Sequence, residues 1–338
     1  MRAELGIDFG ASELRVSVHG KGIVWRSPSV VAFDRGTKEL LNFGDVAYET
    51  AARYRNVSTT HPFRDGLLAS PELARRVLAR CLHATFPGEE NVRALLSVPC
   101  SLTEDQEGSL VELMAQAGFR ESYLIYSPVA ALVGCGFSLE KPYVSVNIGS
   151  STTDIAVLAE GEITERVSIE VGGDAFCAAI RSYIMKKKRL RINFRIAEEI
   201  KRQIGTVWVD GERRHTKTMG LDAEDNWQEL NLSSDEMFAA FEEPCAAILE
   251  AVCSAAAKIP LDDVEGVFKA GILLTGGGAY LHGMKQMIEG ITGFNCLVPK
   301  APEDTVAYGL AALLPELPRK IPGYNASTIA VKSFSFRE

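Results

Sequence analysis

Two stretches of this chain carry the same frame of alternating apolar and polar residues around a turn of small residues, and they lie 139 positions apart. The first is Leu5-Gly6-Ile7-Asp8-Phe9-Gly10-Ala11-Ser12-Glu13-Leu14-Arg15-Val16-Ser17-Val18. The second is Val144-Ser145-Val146-Asn147-Ile148-Gly149-Ser150-Ser151-Thr152-Thr153-Asp154-Ile155-Ala156-Val157. In this frame Asp8 matches Asn147, Gly10 matches Gly149 and Ser12 matches Ser151. Alternation on both sides of a small-residue turn predicts a β-hairpin. A matched pair that divides a 338-residue chain near its middle predicts two related halves, in keeping with a prior of roughly 150 residues per domain.

The elements between the hairpins extend the pattern. Leu73, Val77, Leu78 and Leu82 fall at helical spacing behind Ser70-Pro71, an N-cap followed by Pro at the first helical position. Residues 94–99 read as a buried strand, residues 102–117 as a helix stopped by Gly118, residues 123–125 as a strand, and a further helix starts at Pro128. Strand and helix alternate, so the class is α/β. In the second half, residues 163–169 read as a strand, Gly172-Gly173-Asp174 enters a helix to Lys187, and helices follow near 196–204 and 234–257. Residues 208–232 are polar and β-like. Lys269 to Thr275 reads as an apolar strand that runs into Gly276-Gly277-Gly278 and then a helix, a layout suited to holding an anion. Residues 319–338 have little pattern and read as a tail.

A hairpin turn of Gly, Ala and Ser presents several N–H groups to one point, and an acid at the end of the preceding strand suits a divalent cation. Two such turns facing each other would grip a polyphosphate, with Gly276–Gly278 as a third contact. Composition narrows the alternatives. A net charge of -8 gives no global positive field for nucleic acid. The 7 cysteines form no C-x-x-C pair and read as small core residues of a reducing compartment. No apolar run reaches the roughly 18 residues of a spanning helix, and Met1 to Asp8 lacks a secretory apolar segment, so a cytoplasmic location is expected. The 5 histidines show no metal-ligand spacing.

Gly6-Ile7-Asp8-Phe9-Gly10, Lys21-Gly22-Ile23-Val24 leading to Pro28-Ser29-Val30-Val31-Ala32, and Pro62-Phe63-Arg64-Asp65-Gly66 come in order along the first half. Ser97-Val98-Pro99, Asn147 to Val157, Gly172-Gly173-Asp174, Glu198 to Gly205 and Leu274 to Ala279 follow them. Together these resemble the successive motifs of the MreB family of bacterial actins over about residues 4–314. The resemblance implies an actin-like, duplicated ribonuclease H-like fold of two domains with a nucleotide cleft. It divides the chain into a first large subdomain (1–28 and 64–140), a first small subdomain (29–63), a second large subdomain (141–175 and 236–318), a second small subdomain (176–235) and the tail. ATP and Mg2+ are the implied cofactors. Asp8, Gly10, Ala11 and Ser12 would form the first phosphate turn, with Asp8 on the metal side, and Gly149, Ser150, Ser151, Thr152 and Thr153 the second. Gly172, Gly173 and Asp174 would lie near the ribose, Glu198 and Lys201 would flank the adenosine, and Gly276, Gly277 and Gly278 would close over the nucleotide.

The departures from the family pattern are concentrated at the chemistry. Ala11 and Glu13 stand for Thr and Asn, Asn147 for an Asp, and Ser150-Ser151 for Gly-Gly. Tyr126-Ser127 replaces paired glutamates, one of which orients the attacking water. With Ser127 and Asn147 in place of the expected acids, ATP hydrolysis is expected to be slow or absent, with Thr152 or Thr153 as partial substitutes, while Glu13 is expected to point to solvent. The expected partners are further copies of the chain in a filament, the cytoplasmic face of the membrane, and cell-wall elongation proteins. Membrane contact would fall on Phe86, in the segment 84–90, and on the basic run Lys186 to Arg191. The competing reading is a non-polymerising adaptor of the same superfamily. Against a small-molecule kinase, the sequence shows no Asp-containing catalytic-base segment or extra substrate insertion, and Ser127 has no neighbouring His-containing motif for a hydrolase triad.

Overall fold

The computed structural model describes residues 3–64, 67–159 and 161–317. Asp65 and Gly66 of the third motif and the tail 319–338 lie outside these.

Both predicted hairpins form, Glu4–Phe9 with Glu13–Val18 and Tyr143–Ile148 with Thr153–Ala159, and each seeds a five-stranded sheet. In the first, the hairpin continues into the antiparallel strand Gly22–Pro28, while Arg93–Val98 and Glu121–Tyr126 add in parallel on the other side. In the second, Glu162–Ile169 continues the hairpin antiparallel, and Ile272–Thr275 and Cys296–Leu297 add in parallel. The strand orders correspond one to one. Duplication read from two 14-residue stretches therefore extends through both sheets.

Each sheet buries a face under its own helices. Pro71–Thr85 and Glu104–Gln116 pack Val77, Leu78, Leu110 and Met114 against Ile7 and Leu96. Gly173–Lys188, Phe194–Ile204, Glu242–Ala256 and Met284–Thr292 do the same for Val146, Ile155 and Leu274. Between the sheets lie two helices, Ser127–Gly134 and Thr305–Leu313, whose core joins Leu95 and Ile125 of the first sheet to Leu158 and Leu273 of the second. A three-stranded sheet with the helix Asp45–Arg53 has a small core of its own, at Val30, Ala32, Ala47 and Val57. The polar stretch 208–232 contains the expected hairpin, His215–Leu221 with Trp227–Ser233.

Two expectations fail for local reasons. The single helix expected over 234–257 is two, Ser234–Ala240 and Glu242–Ala256. Pro244 donates no N–H, and its ring would meet the carbonyl of Ala240 in a continuous helix. Lys269 and Ala270 end the helix Val264–Ala270 rather than start a strand; Gly271, at φ 81°, reverses the chain before Ile272. Among the described residues no single helix is long and apolar enough to cross a membrane.

Candidate nucleotide site

The strand Arg93–Val98 ends between the two hairpins and holds one with each side of its exit. Ser97 Oγ donates to Asp8 Oδ1 (2.8 Å), at the end of the first hairpin's leading strand. Three residues on, the N–H of Cys100 donates to Asp154 Oδ1 of the second hairpin (2.7 Å). The two small-residue turns are thereby fixed side by side. Gly10 and Gly149 close them: their N–H groups are taken by Glu13 O (3.1 Å) and Thr152 O (2.8 Å). The donors left over are the N–H groups of Ala11, Ser12, Ser150 and Ser151, inside the turns, which meet no acceptor among the described residues. Those four, rather than the glycines, are placed to receive an anion.

The second half closes around its own turn. The N–H groups of Gly173 and Asp174 donate to the carbonyls of Gly149 (2.9 Å) and Ser150 (2.7 Å), which seats the start of helix Gly173–Lys188 on the turn. A Cβ at Gly172 would lie 2.7 Å from the Gly149 oxygen, so only glycine permits this approach. Lys201 Nζ donates to the Gly173 carbonyl (2.9 Å), whereas Glu198 pairs with Arg202 (2.7 Å); the two do not form the mutual i,i+3 pair their spacing allows. At Gly276, φ is 79° and a Cβ would lie 2.3 Å from the Ile148 oxygen, which places the glycine turn directly on the second hairpin. Burial pushes the Asp174 carboxyl up, opposed by the charges of Lys201, His61 and Arg64. His61 and Arg64 come from the first half, and the His61 Nδ1–H donates to the Ala11 carbonyl (3.0 Å).

The substituted positions are committed to other contacts. The Ser127 hydroxyl is buried and donates to the Val98 carbonyl (3.2 Å). Tyr126 Oη is engaged by Arg166 and by Glu107, and the Arg166 guanidinium lies over its ring. Thr153 Oγ1 donates to the Val171 carbonyl (2.7 Å) and is buried. Thr152 Oγ1 donates to Asp154 Oδ2 (3.0 Å), which leaves its lone pairs able to accept. Asn147 Oδ1 accepts from Thr275 Oγ1 (3.2 Å). Glu13 does not point free to solvent: it binds Arg15 and lies 3.6 Å from Arg26.

A family model described as MreB/Mbl protein matches residues 2–321. The chain belongs to the MreB/Mbl family. Similar curated proteins include the cell shape-determining protein Mbl of Bacillus cereus, 31% identical over 322 residues that span 94% of this chain and 97% of that one. The cell shape-determining protein MreB of Escherichia coli is 31% identical over 317 residues, covering 90% and 91%. Among solved structures, MreB5 of Spiroplasma citri bound to ADP superposes with a TM-score of 0.87 at 24% identity, covering 93% and 96%. A MamK double helical filament superposes with a TM-score of 0.80 at 20% identity, covering 94% and 100%. The fold is thus actin-like.

This MreB/Mbl chain holds residues at its site that the motifs alone do not single out: Arg15, Ser97, His61, Asp154 and Asp304. Arg15 was accessible in principle, because a hairpin turning at Ala11-Ser12 sets it opposite Asp8, as the register confirms. Asp304 was not, since it arrives from the start of helix Thr305–Leu313 nearly three hundred positions on. The donor set does not fit a resident Mg2+ ion. A Mg2+ ion bound with a nucleotide is held through one or two carboxylates besides the phosphates and its waters, so those carboxylates must be open to it. Here Asp8 shares its oxygens with Ser97 and Arg15, both Asp154 oxygens accept hydrogen bonds, and Asn147 is neutral. Among the described residues no group of three His, Cys, Asp or Glu is positioned to hold a metal.

Proposed function

We propose that this chain is an actin-like, nucleotide-binding cytoskeletal protein that forms filaments and takes part in cell-shape determination, with weakened ATP hydrolysis. The observation that carries it is the junction of Ser97 and Cys100, which holds Asp8 and Asp154 and so sets two anion-ready turns against each other. The solved structure of MreB5 bound to ADP and the MamK filament supply the ligand class and the mode of assembly.

On this reading the phosphates lie between Gly10, Ala11 and Ser12 on one side and Gly149, Ser150, Ser151 and Thr152 on the other. Gly172, Gly173 and Asp174 flank the ribose, Glu198 and Lys201 the adenosine, and Gly276, Gly277 and Gly278 close over it. The small subdomains, 29–63 and 176–235, form the upper walls of the cleft, and the large ones, 1–28 with 64–140 and 141–175 with 236–318, its floor. Phosphoryl transfer is catalysed by positioning and charge stabilisation. Ser127 is turned to the Val98 carbonyl and Thr153 to the Val171 carbonyl, so neither orients a water. Thr152, its hydroxyl proton held by Asp154, is the remaining acceptor at the phosphate end. Binding is retained and turnover is slow.

The setting we propose is the cytoplasm, against the inner face of the membrane and in company with cell-wall elongation proteins. Phe86 packs partly on the first core, so membrane contact rests on the basic run at the end of helix Gly173–Lys188. The test is ATP affinity by calorimetry together with electron microscopy of the purified protein with and without ATP. Nucleotide binding with filaments supports the proposal; a protein that binds no nucleotide and stays monomeric overturns it.

A further inference from the structure

We propose, resting on the nucleotide reading above, that the Arg15 guanidinium is the resident positive charge on Asp8 in place of a divalent cation, so that the pocket distinguishes little between metal-bound and metal-free ATP. The register of the first hairpin sets Arg15 directly across from Asp8, side chains on one face of the sheet. Arg15 Nη1 lies 3.6 Å from Asp8 Oδ2, Nε lies 2.9 Å from Asp304 Oδ1, and Nη2 binds Glu13. Its side chain is only 11% exposed. Arg26 braces the assembly from outside, 2.5 Å from Asp304 and 3.6 Å from Glu13. A guanidinium with its nitrogens spread over three carboxylates is fixed in place rather than sampling solvent.

The consequence for a metal follows from charge and from linkage. A cation on Asp8 Oδ2 would share that oxygen with the guanidinium, and like charges at such range repel strongly in a partly buried site. Asp8's other oxygen accepts from Ser97, and Asn147 contributes no charge at all. By reciprocity, the factor by which Mg2+ strengthens ATP binding equals the factor by which the protein strengthens Mg2+ binding to ATP. A pocket whose carboxylate already has its cation adds little to the metal's hold, and the factor stays small.

The experiment measures ATP affinity of the full chain by calorimetry in excess Mg2+ and again in EDTA, for wild type, Arg15→Gln and Asn147→Asp. Gln retains an N–H donor toward Asp304 and loses the charge; Asn147→Asp adds a carboxylate and leaves the Arg15 network intact, with melting curves showing that each variant folds. We expect the wild-type affinities to differ less than about tenfold between the two buffers, and each variant to widen that ratio by about tenfold or more. A wild-type ratio above that limit, or variants that leave the ratio unchanged, would overturn the assignment. Absence of binding in both buffers would overturn the nucleotide reading itself, and this inference with it, whereas binding lost only in EDTA overturns the inference alone.

Discussion

Asp154 joins two halves of the molecule through one buried carboxylate. It accepts the Cys100 N–H from the first half and the Thr152 hydroxyl from its own turn, at 2% exposure. Burial pushes its pKa up, and the Cys100 N–H, Ser168 and Thr152 pull it back only in part. An acid whose folded pKa exceeds its unfolded value binds more protons in the folded state, so its contribution to stability falls as pH rises from about 4 through the folded value. Asp154→Asn keeps an acceptor and removes the charge. Its melting temperature relative to wild type is therefore expected to climb as pH rises above about 4; a constant difference would contradict the assignment. Asp154→Ala leaves the Cys100 N–H buried and unpaired and should cost about 1–3 kcal/mol in denaturant unfolding at neutral pH. The same scale decides catalysis. Ser127→Glu with Asn147→Asp restores two acids at positions now committed to Val98 and Thr275, and we expect steady-state ATP turnover to rise on the order of 10²-fold. Wild-type turnover already equal to that of the double variant would remove the premise. The turn residues were legible in the sequence because a turn needs particular residue types. The partners of Ser127 and Tyr126 were not, because each is a side chain or carbonyl brought in by another element.

The element that binds the halves most closely is the pair of helices Ser127–Gly134 and Thr305–Leu313. They meet with almost no side chain between them: a Cβ on Gly309 would lie 1.8 Å from the Ala130 oxygen, and one on Gly134 would lie 2.0 Å from the Thr305 oxygen. Gly6, the first glycine of the Gly-Ile-Asp-Phe-Gly motif, extends the same contact, since a Cβ there would lie 2.7 Å from Leu310 Cβ. Gly309→Ala must push the helices apart across a core that includes Leu95, Leu132 and Leu273, and should destabilise by about 2–4 kcal/mol. Urea unfolding reads this; a variant within about 0.5 kcal/mol of wild type would show that the helices separate freely. Helix caps and hydrophobic spacing made most elements readable, such as Glu104–Gln116 behind the Thr103 capping box. The glycine crossing was not readable, because a glycine inside a helix gives no sign of which backbone it touches. The break at Phe241 was signalled by Pro244 and passed over, since apolar spacing runs through both helices.

At the scale of the whole molecule, the duplication fixes what the surface must do. Two sheets joined back to back through the helices between them present the small three-stranded sheet and the 215–233 hairpin on outer positions, where side chains such as Val46, Tyr48 and Trp227 are exposed. Lys186, Lys187 and Arg189 extend from the end of helix Gly173–Lys188, while Lys188 is held by Glu236 (2.7 Å). Any binding to anionic vesicles should therefore be weak and be lost between about 50 and 300 mM salt, where surface charge is screened. Phe86→Ala should leave it unchanged; flotation that persists in high salt would point to an apolar anchor instead.

Self-assembly is the stronger demand on the fold. A head-to-tail filament uses a heterologous contact that does not close on itself. The match to MreB/Mbl proteins over residues 2–321 includes both halves, and MamK, whose solved structure is a double helical filament, has the same fold. Because the nucleotide would sit between the halves, its occupancy should set how they are oriented and so whether successive copies fit. The weak hydrolysis proposed above predicts an effect on assembly: without turnover to reverse it, filaments formed with ATP should persist about as long as those formed with a non-hydrolysable analogue. Pelleting and electron microscopy over several hours distinguish the cases. Filaments that vanish with ATP but endure with the analogue would show that the site hydrolyses well despite Ser127 and Asn147. A chain that stays monomeric at tens of micromolar with either nucleotide would be an adaptor rather than a filament subunit.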